Sequence, residues 1–363
     1  MTSALNRRDA LALLGATAGA SLAAVFARDA GAFGALAQST TSPPAAAAFP
    51  NGVVIRTLLK DLPPEALAGG TVLFHEHLSM RYPPQAKEHF TDDVALMVEE
   101  VRAAGKDGIA CIVDGGHPDM SRNLDALKRI AIESGVPIVA SGGYYMRRTY
   151  PPDLAAKSAD EIAGELVREA AAQRLGAFGE IGQQGGVLTD EETKVFQAVA
   201  KAQARSGLPI FTHNAYTGTR PTPNPVPRDA ALRQLDVLEG AGGKPAHIAI
   251  GHVCCLDDPK AEVAQQLAKR GAFVGFDRVT IPIVPDAERV MMIMAMVEAG
   301  YAEHVLISSD FAVANSLKRN GGAGIAQAAT VFGPMLLEAG LSEALLHRIL
   351  ADNPRRFLAF VPK

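Results

Sequence analysis

Two histidines near the start of the chain have the spacing of a metal-binding pair. His75 and His77 follow the apolar run TVLF and are separated by one residue. Residues two positions apart on a β-strand project from the same face, so both imidazoles could bind one divalent cation. The pattern is short, however, and two solvated histidines at a strand end would give the same spacing. The rest of the sequence has to decide between these interpretations.

Four more residues could complete such a site, because each carries a metal-binding side chain at the end of an apolar run: Glu180, His213, His252 and Asp310. Imidazole and carboxylate groups suit zinc, manganese or cobalt, and this set exceeds what one four-coordinate ion with an open position uses. Two ions bridged by one carboxylate would use the whole set. Such a pair can hold a hydroxide, polarise an electrophile and stabilise a leaving oxygen, so the sequence predicts hydrolysis at two divalent cations, with zinc favoured.

These residues need a scaffold that brings distant segments together. Apolar runs typical of buried strands occur at 71–77, 109–114, 137–143, 177–182, 209–213, 247–252, 272–276 and 305–310. Segments with helical apolar spacing alternate with them, at 92–104, 123–134, 160–175, 191–206, 229–241, 258–270, 286–299 and 324–339. Several begin with Asp, a common N-cap, and Asp258-Pro259 adds proline at the first helical position. This alternation predicts an α/β fold, a (β/α)8 TIM barrel, rather than a doubly wound sheet. With the candidate ligands, a barrel of the metal-dependent hydrolase type is expected.

A barrel of this kind explains why the candidate residues are so far apart in sequence. The carboxyl ends of all its strands meet at one rim, where the chemistry of such barrels takes place. Taken alone, His213 or His252 fits a buried core histidine, Glu180 an ion pair and Asp310 a helix cap. Because the candidates fall together at predicted strand ends, a shared metal site is the favoured interpretation.

The composition excludes several classes of function. The chain has 363 residues and 48% hydrophobic content, enough to bury a large core. A net charge of -4 and a pI near 6.2 provide no basic surface for nucleic acid. The sequence lacks both glycine-rich nucleotide-binding motifs. Cys111, Cys254 and Cys255 form a poor disulfide framework and are expected to have packing roles.

The N-terminal region reads as an export signal. It contains NRRDAL at 6–11, an apolar Ala/Leu/Gly-rich run and the small-residue motif ALA at 35–37. This layout predicts a signal peptide at 1–37 of the twin-arginine type and hence a periplasmic location. A Ser/Thr/Pro/Ala segment at 38–51 is expected to be a flexible linker, followed by a single catalytic barrel at 52–363. No membrane association is expected once the signal is removed.

Six segments of the sequence resemble successive motifs of the phosphotriesterase family of the amidohydrolase superfamily: TVLFHEH, FTHN, IGHVCCLDD, VGFDRV, LISSD and NPRRFL. The resemblance implies that His75, His77 and Asp310 hold the more buried metal, and that His213 and His252 hold the more exposed one. It also implies that Asp310 accepts the proton released on attack. Because the family is often dimeric, a homodimer is expected.

The bridging position departs from many members of this family, which carry a carbamylated lysine there. This chain has GAFGEIG on the fourth strand, with Glu180 at the matching position. The branch represented by the phosphotriesterase homology protein resembles it in this respect. A glutamate supplies the bridging carboxylate without carbon dioxide, but its side chain is shorter.

Two further residues bear on the substrate. Tyr144 matches a position where lactone-hydrolysing members carry tyrosine and several phosphotriesterases carry tryptophan. The motif GFDRV is more similar to the LDR of the phosphotriesterase-like lactonases than to the LDH of the organophosphate-degrading enzymes. Arg278 is therefore expected to orient a carbonyl or carboxylate; the alternatives are an arginine that faces the solvent and a structural pair with Asp277. Tyr144, Arg278 and Asp310 are the predicted catalytic residues.

The sequence thus favours a small-molecule lactone or other carboxylic ester as the substrate, with an organophosphate triester or diester as the alternative. Arg147, Arg148 and Arg220 are further cations expected at the rim, and the proline-rich segment 219–227 is expected to lie over the mouth. A single-metal deaminase would lack the strand-four carboxylate and carry an acid after strand five, which FTHNAYTG does not. A non-catalytic small-molecule-binding barrel would not need all of the candidate ligands.

Overall fold

The apolar runs form the strands of a parallel barrel in the computed structural model, which describes residues 48–82, 91–214, 227–256, 258–282, 284–312 and 314–363. A short antiparallel hairpin comes first, β1 (Ile55–Arg56) with β2 (Asp61–Leu62). The barrel strands are β3 (Thr71–Glu76), β4 (Ile109–Asp114), β5 (Ile138–Gly142), β6 (Ala177–Gly182), β7 (Ile210–His213), β8 (Ile248–Ile250), β9 (Phe273–Phe276) and β10 (Val305–Ile307). Each barrel strand pairs in parallel with its neighbours in sequence.

The first and last strands meet at a seam that brings the ends of β3 and β10 together. The backbone N–H of His77 donates to the carbonyl of Phe311 at 2.9 Å, and that of Asp310 donates to the carbonyl of His75 at 3.3 Å. These bonds nearly close the sheet, as the predicted TIM barrel requires. The predicted fold class is therefore confirmed, and two candidate ligand segments lie side by side at the seam.

Helices cover the outside of the sheet: α1 (Val94–Lys106), α2 (Leu124–Ser134), α3 (Ala159–Gln173), α4 (Asp190–Ser206), α5 (Ala230–Gly240), α6 (Glu262–Lys269), α7 (Asp286–Glu298), α8 (Gly333–Glu338) and α9 (Glu343–His347). The last helix, α10 (Asn353–Leu358), instead packs the ring of Phe357 against Phe74 and Phe273 of the barrel interior. Single 3-10 turns lie at Pro64–Leu67, Pro118–Met120, Arg147–Thr149, Pro152–Ala156, Pro245–His247, Val253–Cys255, Ala302–His304, Ala314–Ser316 and Lys318–Asn320. Two π-helical turns, Ala328–Phe332 and Arg348–Asp352, precede α8 and α10. In the described part of the chain, no helix is long and apolar enough to cross a bilayer.

Two predicted helices differ from the observed ones. The segment predicted at 258–270 becomes helical only at Glu262, although the side chain of Asp258 still accepts the backbone N–H groups of Glu262 and Val263, at 3.0 and 2.8 Å. The segment predicted at 324–339 is divided between a π-helical turn and α8, which contains Pro334 in its first turn. Proline has no N–H to continue a regular helix, which accounts for the break.

Alternate residues of each strand pack on opposite sides of the sheet. The barrel interior contains Val72, Phe74, Cys111, Val113, Val139, Ala177, Phe211, Ala249, Phe273 and Leu306. Leu73, Ile112, Phe178, Ile210 and Ile248 belong instead to the larger cluster between strands and helices. All three cysteines are buried and free, as expected for packing roles. The predicted signal peptide, residues 38–47 of the linker, Arg220 and segment 219–226 lie outside the described residues.

Candidate metal centre

The six predicted ligands converge at the carboxyl end of the barrel in two groups. In the first group, Nε2 of His77 lies 3.3 Å from Oε1 of Glu180 and 3.1 Å from Oδ1 of Asp310. Nε2 of His75 lies 3.4 Å from the other Glu180 oxygen, Oε2. The donor atoms of these residues all lie within 4.8 Å of one another, a spacing from which they could hold one cation.

The second group shares Glu180 with the first. Nδ1 of His213 lies 2.8 Å from Oε2 of Glu180 and 2.8 Å from Nε2 of His252. Nε2 of His252 is 3.4 Å from the same carboxylate oxygen. Glu180 is common to both of these groups, and a third group, His75 with His252 and Asp277, overlaps each of them.

Two irregularities in the strands turn ligands toward the barrel interior. In the pairing of β3 with β4, Leu73 is opposite Ile112 but Glu76 is opposite Asp114, so three steps on one strand match two on the other. The extra residue reverses the alternation of sides. The imidazole of His75 consequently lies 5.0 Å, between ring centroids, from the interior residue Phe211.

A similar irregularity in β6 orients Glu180. Phe178 pairs with Ile210 and Ile181 with Thr212, so β6 also contains one extra residue at this point. Gly179 is required beside it, since a Cβ there would lie 2.3 Å from the ring of Phe211. Without the extra residue, the normal alternation would direct Glu180 toward the helices, on the side occupied by Phe178.

Glu76, between the two histidines of the HEH motif, holds the Asp310 loop. Its carboxylate accepts the backbone N–H of Ser309 at 3.0 Å and that of Phe311 at 2.7 Å. Asp310 itself has φ +50, a left-handed conformation that costs about 1–3 kcal/mol for a residue other than glycine. Glu76 therefore secures the amides on both sides of a strained ligand. In the sequence, Glu76 lies between two candidate ligands, and this position was the signal from which its role could have been inferred.

Asp277 contacts a candidate ligand in each of the two groups. Its Oδ2 lies 2.8 Å from Nδ1 of His75, and its Oδ1 lies 3.1 Å from Nδ1 of His252. Oδ1 also accepts the backbone N–H of His252 at 2.6 Å, where this ligand has φ +54. A Cβ at Gly251 would lie 2.8 Å from Oδ2 of Asp277, so glycine leaves room for this arrangement.

Charges in the cluster shift the pKa values of its members strongly. Burial alone would raise the pKa of Glu180, but the histidines, led by His213 and His75, hold it well below its ordinary value. Burial lowers the pKa of His77, yet the hydrogen bonds to Asp310 and Glu180 outweigh this and raise it to about 10. The pKa of His213 is lowered, chiefly by burial. The carboxylates are therefore ionised and ready to bind cations.

The residues present fit divalent cations. Nε2 of His75 is buried without a hydrogen-bond partner, while Nδ1 of the same ring is engaged by Asp277. A buried nitrogen of this kind is costly to leave unsatisfied, and a cation would satisfy it. Imidazole and carboxylate donors in two groups with one shared carboxylate match the chemistry of a two-ion site.

The tyrosine that reaches the cluster is Tyr145, whereas the sequence analysis selected Tyr144. The hydroxyl of Tyr145 lies 3.5 Å from Nδ1 of His213, with ring centroids 5.0 Å apart. Tyr144 packs against Tyr150 at 6.0 Å between ring centroids. Burial raises the pKa of the Tyr144 phenol, and the charged residues that shift this pKa further, chiefly Glu165, lie outside the cluster. Two adjacent tyrosines leave the sequence without a signal to choose between them.

Arg278 lies at the cluster, whereas Arg147 and Arg148 have other partners. Nε of Arg278 lies 3.1 Å from Oδ2 of Asp310, and its side chain is 17% exposed. Arg147 is exposed and pairs with Glu191. The guanidinium of Arg148 lies over the ring of Tyr82, 5.4 Å from its centroid. Of the three predicted arginines that the structure describes, Arg278 is therefore the one that lies beside a candidate ligand.

Comparisons with known proteins agree with this geometry. The phosphotriesterase family model matches residues 60–358. The crystal structure of the Escherichia coli phosphotriesterase homology protein, complexed with phosphate in its active site, superposes with a TM-score of 0.73 at 29% identity, covering 80% of this chain and 99% of that one. A resiniferatoxin-binding protein from Rhodobacter sphaeroides superposes with a TM-score of 0.73 at 30% identity, covering 84% of this chain and 94% of that one.

A curated relative with an assigned activity is the N-acetyltaurine hydrolase of Bos taurus. The two sequences are 27% identical over an alignment of 355 residues, and the match covers 84% of this chain and 98% of the relative. The family match extends through all eight barrel strands and includes every residue of the two ligand groups. The chain is therefore a hydrolase of the phosphotriesterase family.

Proposed function

We propose that the chain uses two divalent cations, zinc in the first instance, to hydrolyse a lactone or other carboxylic ester. The observation that carries this proposal is the position of Glu180, whose two oxygens contact both histidine groups. The ligands of one cation would be His75, His77 and Asp310, those of the other His213 and His252, with Glu180 shared. When bound, the cations supply an activated water and polarise the substrate carbonyl.

Asp310 is suited to accept the proton that the attacking water loses. Burial opposes its ionisation, but His77, His252 and Arg278 outweigh burial and lower its pKa. The carboxylate is therefore ionised near neutral pH and can act as a general base. Its side chain is 13% exposed, which leaves part of it open toward the mouth of the barrel.

Arg278 and Tyr145 border the same reaction centre. Arg278 places a permanent positive charge beside Asp310, where negative charge develops on the substrate during attack. Burial, Glu180 and Asp310 raise the pKa of Tyr145 well above its ordinary value, so the phenol keeps its proton. A protonated hydroxyl near His213 can donate a hydrogen bond to the leaving oxygen of an ester.

The relatives favour two other substrate classes that the same centre could accept. N-acetyltaurine, named for the bovine relative, contains an amide bond rather than an ester. Phosphate occupies the active site of the Escherichia coli relative, which supports the organophosphate alternative. The resiniferatoxin-binding relative supports the alternative of a non-catalytic barrel that binds a small molecule. Water attack is common to the hydrolytic classes, so the choice among them depends on the walls of the pocket.

A substrate panel with the purified full chain tests the proposal. Bound metal is measured by mass spectrometry, and kcat/KM is determined for lactones, aryl carboxylic esters, N-acyl aminosulfonates and an aryl phosphotriester. We expect about two ions per chain and a kcat/KM for lactones or esters at least about 100-fold above the other classes, or ~2.7 kcal/mol. Metal-free protein that is fully active would refute the cation chemistry. Binding without turnover would identify a binding protein.

We also propose export to the periplasm by the twin-arginine route, because Arg7 and Arg8 precede an apolar segment. Cell fractionation of the wild-type chain and of the Arg7→Lys/Arg8→Lys double variant tests this. The wild type should appear in the periplasm in its shortened form, and the variant should remain in the cytoplasm at full length. Equal distribution of the two proteins would contradict the proposal.

A further inference from the structure

One buried carboxylate touches a histidine from each ligand group. Oδ2 of Asp277 lies 2.8 Å from Nδ1 of His75, and Oδ1 lies 3.1 Å from Nδ1 of His252. Asp277 is fully buried, as are both imidazoles. The two rings are stacked, with an interplanar angle of 14° and centroids 5.3 Å apart. A single side chain thus controls the orientation of two rings that are assigned to different cations.

These contacts determine which nitrogen of each ring can bind a cation. An ionised carboxylate only accepts hydrogen bonds, so both Nδ1 atoms must carry a proton. In the neutral imidazole, Nε2 then has the lone pair. Nε2 of His75 and Nε2 of His252 each lie 3.4 Å from Oε2 of Glu180. Asp277 therefore presents one donor atom to each ligand group from behind.

We propose that Asp277 is a positioning residue that fixes the ligand tautomer of one histidine in each group and thereby couples the two cation sites. The inference rests on the proposed two-cation function. Carboxylates behind ligating histidines typically change metal affinity about 10- to 100-fold when they are removed. Here one carboxylate serves both sites, so the effect of changing it should depend on which ring is affected.

The third hydrogen bond of Asp277 makes that effect asymmetric. Oδ1 accepts the backbone N–H of His252 at 2.6 Å, and a backbone N–H cannot become an acceptor. In Asp277→Asn, the amide oxygen must therefore occupy the Oδ1 position, and the amide NH2 faces Nδ1 of His75. The NH2 group donates, so His75 would accept at Nδ1 and carry its proton on Nε2. His75 would then lose its ligand lone pair, while His252 would keep its own.

Metal titration of the full chain tests this inference directly. Metal-free wild type, Asp277→Asn and a control are titrated with Mn²⁺ alone, by calorimetry and electron paramagnetic resonance. We expect two ions and a spin-coupled spectrum for the wild type. For Asp277→Asn we expect one ion of nearly unchanged affinity, a second bound about 10- to 100-fold more weakly, and an uncoupled spectrum at metal concentrations that fill only the first site. Asp258→Asn is the matched control, because Asp258 is equally buried and hydrogen-bonded but caps α6.

The outcomes separate this inference from the proposed function. A wild type that binds no Mn²⁺ or Zn²⁺ refutes the two-cation function itself. If the wild type binds two ions, a folded Asp277→Asn that binds both with wild-type affinity, or that binds both equally more weakly, overturns the role of Asp277 alone. If the variant does not fold, ¹⁵N NMR of the zinc-loaded wild type tests the inference by locating the imidazole protons of His75 and His252. Protons on Nδ1 of both His75 and His252 support the inference, and a bare Nδ1 on either ring refutes it.

Discussion

Glu180 and His213 lie 2.8 Å apart, measured from Oε2 of the carboxylate to Nδ1 of the imidazole. The other oxygen of the same carboxylate lies 3.3 Å from Nε2 of His77, in the opposite ligand group. The resemblance to family motifs matches this glutamate to the position where many members carry a carbamylated lysine, and its side chain is shorter. The extra residue in β6 turns Glu180 toward the interior and allows it to reach both groups.

The charge of Glu180 should be essential to the site. In Glu180→Gln the side chain keeps its size but offers one neutral oxygen and an NH2 group, which cannot bind a cation. We expect loss of at least one cation per chain and a fall in kcat/KM of about 1,000-fold or more, ~4 kcal/mol. Mass spectrometry and initial rates measure both effects. The control is Glu100→Gln, which changes a buried carboxylate of α1 and should leave both ions bound.

The positions of the ligands could be predicted because their signals are local. His75 and His77 end an apolar run, and His213 ends another, so each strand end can be read without knowing its neighbours. Parallel strand order then follows from the alternation with helices, and it brings the carboxyl ends to one rim. The ligand set and the fold class therefore depend on short sequence patterns and on one general rule of topology.

Other features could not be predicted because they depend on contacts between distant segments. The extra residues in β3 and β6 are visible only in the register with neighbouring strands, not in the strands themselves. Asp277 directly follows β9 in sequence, but only the structure shows that its carboxylate reaches His75 and His252. Adjacent tyrosines, likewise, are distinguished only by the direction of the loop after β5.

Glu76 should contribute strongly to stability by holding the Asp310 loop. Glu76→Gln would place an NH2 group against one of the backbone N–H groups of Ser309 and Phe311, leaving a buried donor unsatisfied. We expect a loss of about 1–3 kcal/mol in the free energy of unfolding, with weaker metal binding. Urea unfolding of the metal-free chain measures the first effect. Glu165→Gln, on an outer helix, should change it by less than about 0.5 kcal/mol, and an equal loss in both variants would contradict this role.

The two adjacent tyrosines form a matched pair for testing the pocket. Tyr145→Phe removes the hydroxyl that lies 3.5 Å from Nδ1 of His213. Tyr144→Phe removes the hydroxyl of a tyrosine whose ring packs on Tyr150. We expect kcat to fall about 10-fold or more in Tyr145→Phe, since a hydrogen bond to the leaving oxygen is lost, ~1.4 kcal/mol. Tyr144→Phe should stay within about twofold. Equal rates for the two variants, measured with the best ester of the panel, would remove Tyr145 from the mechanism.

Cation binding should release protons. Burial lowers the pKa of His77 and His252, but nearby carboxylates outweigh it and raise the values from 6.5 to about 10 and about 9. Both imidazoles are therefore protonated at pH 7.5 in the metal-free chain and must lose a proton to bind a cation. We expect metal affinity to rise with pH until the pH exceeds the pKa values of both imidazoles. Calorimetry at pH 7.5 in two buffers of different ionisation enthalpy measures the release, and buffer-independent heats would contradict it.

The same shifts predict how the stability of the metal-free chain depends on pH. A histidine whose pKa is raised in the folded state adds stability that is complete below its unfolded value, 6.5, and is lost as pH rises through the folded value. The Tm of the metal-free chain should therefore fall between pH 7 and about pH 10, the folded pKa of His77. His77→Gln should flatten this decline, because its neutral amide does not titrate. The control is His347→Gln, at an exposed histidine outside the cluster, which should leave the decline unchanged. Thermal unfolding across this range in the presence of a chelator gives the comparison.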